Sequence, residues 1–185
     1  MKKGLYIRGI IGVFSLGVAT VAHAGVNEVD YCTHTGGKVK TITAEFQTAD
    51  PAHPQKGLRK QFCTFKKDGG YIVVGLDAYA SKHPNIAATY LEKLGNIPEG
   101  SYLMAGEYSN PSWNLCKNLG GAIAGYHAQG AFTDNIGQSD VCVFGDDSMV
   151  SSWSLYYMAT GRDHYNEVKE NVRSEPIQQI TLPNV

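Results

Sequence analysis

Between residues 110 and 161 the spacing of hydrophobic positions changes from helical to alternating and back to helical. Asn110-Pro111 reads as a helix start, with Asn as N-cap and Pro at the first helical position. Trp113, Cys116 and Leu115 or Leu119 then recur at helical spacing, and Gly120 is placed to end the helix in the left-handed conformation. Ala122 to His127 and Gln138 to Phe144 predict an antiparallel pair joined by a polar, Gly-containing loop. Ser148 is expected to cap a last helix carrying Trp153, Tyr156 and Tyr157, stopped by Gly161. The pattern predicts an α-β-β-α unit.

An earlier stretch repeats it. Asn27 is expected to cap a short helix through Cys32, and Lys38 to Phe46 and Lys60 to Phe65 read as strands. Tyr71-Ile72-Val73-Val74 is β-branched and prefers a strand by itself. Aligning the two stretches assigns a helix there instead, from about Tyr71 to Ala80. The alignment rests on Cys32-x-x-x-Gly36-Gly37 over Cys116-x-x-x-Gly120-Gly121, and on Cys63-Thr64-Phe65 over Cys142-Val143-Phe144. Continued without a gap, it sets Asp68 on Asp147, Val74 on Trp153 and Leu76 on Leu155. The insertion between the matched blocks falls in the Pro51 to Lys56 stretch, where loop length is free to vary.

The expected fold is therefore α+β: two tandem α-β-β-α units, each a small antiparallel β-hairpin packed on short helices and stapled by one disulfide. The first unit covers 25–82 and the second 110–161. Residues 83–109 form a linker with one helix, opened by His83-Pro84 and closed by Gly95, and 162–185 form a C-terminal helix and a loose tail after Arg173. The first Cys of each unit sits on its helix and the second on its second strand. The repeat selects Cys32–Cys63 and Cys116–Cys142 among the three possible pairings. Units this small bury little core, so each gains from a staple, about 3.5 kcal/mol in a chain-entropy account.

The first 24 residues follow another grammar. Lys2, Lys3 and Arg8 precede an apolar run from Ile10 to Ala22, which ends on the small-x-small site Ala22-His23-Ala24. That predicts a secretory signal peptide cleaved after Ala24, with a run too short for the roughly 20 residues of a membrane span. A periplasmic or secreted location fits an even number of cysteines and no Cys-x-x-Cys pair. Without the three basic residues of the leader, 13 Lys and Arg face 17 Asp and Glu, a net charge of −4. Nucleic acid and anionic membrane surfaces need concentrated positive charge, so both are poor candidate partners, and neither nucleic-acid binding nor membrane insertion is expected.

Catalytic and metal patterns are absent from the spacing. His34, His53, His83, His127 and His164 form no His-Glu-x-x-His motif, and no Gly-x-Ser-x-Gly elbow occurs. The acidic stretch Asp134, Asp140, Asp146 and Asp147 offers a calcium loop or a carboxylate pair for hydrolysis on one reading, and turn and capping chemistry on another; the absence of EF-hand spacing favours the second. No cofactor and no metal is expected. The aromatic residues are more suggestive: Trp113, Trp153, Tyr156 and Tyr157 cluster in the second unit. They serve either as core or as a binding surface for a glycan or a protein. Tyr156 and Tyr157 lie about 100° apart on a helix, which predicts one buried and one exposed.

Asn110-Pro-Ser, Cys116-x-x-x-Gly120-Gly121, Cys142-Val-Phe-x-Asp-Asp-Ser148 and Trp153-x-Leu155-Tyr156 together resemble a family of small bacterial envelope domains that carries the label "hemolysin" and has no assigned mechanism. The second stretch follows that family's pattern, with Asp147 where a turn Gly stands. The first lacks the Asn-Pro start and has Val74 where Trp is expected. The resemblance implies an envelope location. No segment suits a pore, so the expectation is an exported, non-catalytic binding protein that recognises a protein or glycan partner. The alternative is an inhibitor of a secreted or host hydrolase, presenting Thr48 to Lys56 or Gly130 to Gln138 as its loop.

Overall fold

The computed structural model describes residues 24–46, 55–67, 70–127 and 138–182. Residues 1–23 of the segment expected to be a signal peptide, and most of the two loops expected of an inhibitor, lie outside them. The chain is α+β. Six strands, β1 (Lys38–Phe46), β2 (Gln55–Lys67), β3 (Gly70–Gly75), β4 (Ala122–His127), β5 (Gln138–Val143) and β6 (Met149–Ser151), close into one antiparallel barrel in the order β1-β2-β3-β6-β5-β4. Helices α1 (Ala24–His34), α2 (Leu76–Ala80), α3 (Ile86–Lys93), α4 (Pro111–Asn118), α5 (Ser152–Ala159) and α6 (Asp163–Lys169) accompany it.

The two halves repeat one register. Val39 faces Cys63 across β1 and β2, and Ile123 faces Cys142 across β4 and β5. The barrel is closed by like strands of opposite halves. Thr43 pairs with His127, which stands 84 residues on, the same offset as from Cys32 to Cys116. On the far side Val74 pairs with Val150, and each faces the strand cysteine of its own half, Cys63 or Cys142. Antiparallel pairing of equivalent residues is the signature of a pseudo-twofold axis, here passing through both seams.

Several expectations are corrected by the structure. Tyr71 to Val74 belongs to strand β3, and only Leu76–Ala80 is helical. The β-branched run wins because β3 pairs along its whole length with β2 and at Val74 with β6. Likewise Met149–Ser151 is strand, so Ser148 does not cap α5. The turn before β6 is three residues shorter than its counterpart, so the equivalent of Trp153 is Asp77, not Val74. Helix α1 also begins at Ala24, upstream of Asn27.

Alternation along the strands separates two cores. Ile42, Phe62, Val73, Ala124, Val141 and Met149 pack together with no helical residue among them, and fill the barrel. Their sequence neighbours Cys63, Ile72, Val74, Cys142 and Val150 join the helices in a larger outer core, with Tyr79, Leu115 and Leu155 fully buried.

The disulfides Cys32–Cys63 and Cys116–Cys142 tie α1 to β2 and α4 to β5. They explain the double glycine. Gly36 and Gly120, at φ 87° and 81°, end their helices in the left-handed region. Gly37 and Gly121 have a different task. A Cβ on Gly37 would lie 2.5 Å from Cys63 Sγ and 2.8 Å from Cys32 Sγ; on Gly121, 2.5 Å from Cys142 Sγ and 2.8 Å from Cys116 Sγ. Each second glycine is the floor on which its bridge sits.

The halves are also joined through α3. Its first-turn amides donate in sequence to Asp146 Oδ2 (Ile86, 2.7 Å), Ser148 Oγ (Ala87, 2.9 Å) and Asn85 Oδ1 (Ala88, 2.9 Å). Ser148 thus caps the linker helix rather than its own. The C-terminal segment is fastened rather than loose: Arg173 N donates to Tyr79 O at 2.9 Å and Ile177 N to Thr89 Oγ1 at 2.8 Å. Lys93 Nζ donates to Ile177 O at 3.0 Å and to Ile180 O at 2.7 Å. Lys169 Nζ donates to Leu94 O, and burial lowers the basicity of that amine.

Candidate functional site

Helix α5 presents Trp153, Tyr156 and Tyr157 at i, i+3 and i+4, the spacing that puts three side chains on one face. The turn at 96–99 stands against that face, held by Ile97 N donating to Ala159 O at 2.9 Å. Arg162, just beyond α5, folds back through its own amide to Tyr157 O at 2.9 Å. Between them lies a cleft of about 710 Å³, bounded by the three aromatics, the turn, Pro111, Thr160 and Arg162. Its size falls in the roughly 300–1,000 Å³ range of small-molecule sites.

The aromatic wall is built in layers. Trp153 lies over Tyr157 with centroids 5.4 Å apart and planes at 27°. The Arg162 guanidinium is 4.4 Å from the Tyr157 centroid, and Tyr165 of α6 is 4.9 Å from Tyr157. Tyr156 meets Trp153 edge-on at 5.4 Å and is 7% exposed, whereas Trp153 is 38% exposed. Of the two neighbouring tyrosines Tyr156 is buried, as expected of one of them, but Tyr157 is half-buried rather than exposed, because it packs between Trp153 and Tyr165. Burial raises the Tyr156 phenol above its ordinary pKa, with the Glu99 and Tyr157 charges adding to the rise.

Trp113 is placed elsewhere. Half-buried on α4, it donates Nε1 to Asp140 Oδ2 at 3.0 Å and meets Tyr108 edge-on at 5.4 Å. It is not part of the cleft wall. Cys32, Cys63, Cys116 and Cys142 are all in disulfides and buried.

Asp140, Asp146, Asp147 and His164 have partners in the structure. Asp140 holds Trp113; Asp146 accepts from Ser148 N at 3.1 Å and Ser148 Oγ at 2.6 Å as well as from α3; Asp147 pairs with Lys60. His164 is an exposed neighbour of Glu167, at 3.5 Å. Asp134 lies outside the described residues, and so does His53. Among the described residues no group of three His, Cys, Asp or Glu side chains converges as a metal site, and no helix is long and apolar enough to cross a membrane.

The polar rim of the cleft, Asn96, Glu99, Thr160 and Arg162, escaped the sequence reading. For Asn96 and Glu99 the signal was the Gly- and Pro-rich composition after Gly95, which marks a turn but not what the turn faces. Comparison with protein-family models, with curated proteins and with solved structures finds no match to the chain.

Proposed function

We propose that this is an exported, non-catalytic binding protein of the bacterial envelope or secretome, and that the cleft at Trp153 is where it holds its partner. The observation that carries the reading is internal to the chain. The first half shows what the repeated fold needs at each position: Tyr79 stands where Leu155 stands, and both are fully buried. At the equivalents of Trp153, Tyr156 and Tyr157 the first half has Asp77, Ala80 and Ser81. The fold is made without aromatics there; Tyr156 packs into the outer core, so the exposed Trp153, backed by Tyr157, is what is left to serve something besides packing. A large, partly exposed Trp beside a polar-rimmed cleft is the usual anchor of a recognition site.

The engaged carboxylates favour binding over catalysis, since Asp140, Asp146 and Asp147 already hold structural partners. The two disulfides suit an oxidising compartment and thereby the resemblance to envelope domains. Affinity capture tests the reading. Tagged chain from Gly25 onward and its Trp153→Ala form are passed over envelope extract and spent medium. Material held by the first and lost by the second is expected; equal retention on both removes the cleft as the binding site.

A further inference from the structure

We infer that the occupant of the cleft is a neutral sugar chain, with one pyranose ring laid on Trp153 and its hydroxyls read by Asn96, Glu99, Thr160 and Arg162. This rests on the reading of the cleft as the binding site and names the chemistry it takes. A pyranose has a face of C–H bonds and an edge of hydroxyls. It therefore requires a flat, polarisable surface bordered by mixed donors and acceptors. The cleft has that composition. Trp153 is backed by Tyr157, so one indole face is fixed without a partner having to order it. Around it stand an amide, a hydroxyl, a carboxylate and a guanidinium. A carboxylate accepts from hydroxyls and a guanidinium donates to them, each with more than one site, so a pair of neighbouring hydroxyls matches either group. One acid and one base leave the rim without net charge, which suits a neutral sugar better than an anionic one.

Peptide modes fit less well. Strand addition needs an open sheet edge, and the barrel is closed on both seams. Proline-rich peptides lie across rows of upright rings. Here Tyr156 is buried, and Trp153 covers Tyr157, which leaves a single platform. An amphipathic helix needs a continuous apolar groove, and polar groups interrupt this one.

The chain has two tryptophans, Trp113 and Trp153. Trp113→Phe leaves Trp153 as the sole indole fluorophore in the intact disulfide-bonded chain. Titration with N-acetylglucosamine oligosaccharides, cellohexaose and maltohexaose is expected to give a saturable change in its emission with at least one of them. The wild-type chain, followed by calorimetry, gives the same affinity. Trp153→Ala weakens binding at least about tenfold, as removal of an aromatic anchor does, Trp153→Phe by less, and Glu99→Ala weakens it while leaving the thermal midpoint in place. A proline-rich peptide that saturates the Trp153 signal when every sugar fails overturns the sugar assignment and leaves the cleft standing. Sugar binding that Trp153→Ala does not change overturns both, and failure of all probes overturns the sugar assignment.

Discussion

At the scale of single residues, Gly37 and Gly121 separate two roles that the doubled glycine conceals. The preceding glycine answers to backbone conformation, the second to a sulfur atom. Gly121→Ala is expected to destabilise by about 3 kcal/mol, from overpacking against a bridge that cannot yield without moving α4 or β5. Urea unfolding measures it, and an unchanged midpoint with the bridge intact would contradict the account. Gly37→Ala should behave alike. Tyr79 makes a second residue-scale case. Its hydroxyl donates to Thr35 Oγ1 at 2.8 Å inside the outer core, and burial pushes its pKa up to about 12 from the ordinary 10.0. The folded chain then keeps a proton that the unfolded chain releases between those values. The stability from this phenol is whole below pH 10 and is lost as pH rises towards 12. Unfolding midpoints of wild type and Tyr79→Phe, followed from pH 9 upward, should diverge in slope, with the variant the flatter.

At the scale of elements, the cross-half cap on α3 carries the sharpest consequence. Ser148→Ala frees the Ala87 amide in a buried setting and should cost about 1–2 kcal/mol. Hydrogen exchange should show the loss at the start of α3, 61 residues away in sequence, before it shows in the β5–β6 turn. If α3 keeps its protection, the cap is not what holds it. This element also marks the limit of what the sequence discloses. The Asn110 cap, the hairpins and the cysteine pairing were legible because each is local or repeated: Asn110 Oδ1 does accept from Ser112 N, at 3.0 Å. The third strand of each half was not. Met149–Ser151 is too short to display alternation, and the strand signal of Tyr71 to Val74 is present locally but is overridden by aligning it on a segment that is helical in the second half. The cleft was half legible for the same reason: its aromatics share one helix, whereas Asn96 and Glu99 of its rim come from a turn, with Glu99 54 residues before Trp153.

At the scale of the whole molecule, the repeat is not two beads on a string. The halves share one barrel, exchange a helix cap, and are strapped by the C-terminal segment that Lys93 grips through the carbonyls of Ile177 and Ile180. The seams β1–β4 and β3–β6 each join a strand to its own equivalent. A chain limited to residues 106–161 would keep its bridge and its three strands, yet leave β4 and β6 with open edges of matching register. Such a fragment is expected to sediment as a dimer, and a folded monomer would refute the symmetry argument. The present chain can then be seen as a dimer whose partners were fused. What a half-length ancestor would have gained only at sufficient concentration, the linker makes independent of dilution, and one subunit is released to diverge at positions such as Trp153 while its twin keeps the shape.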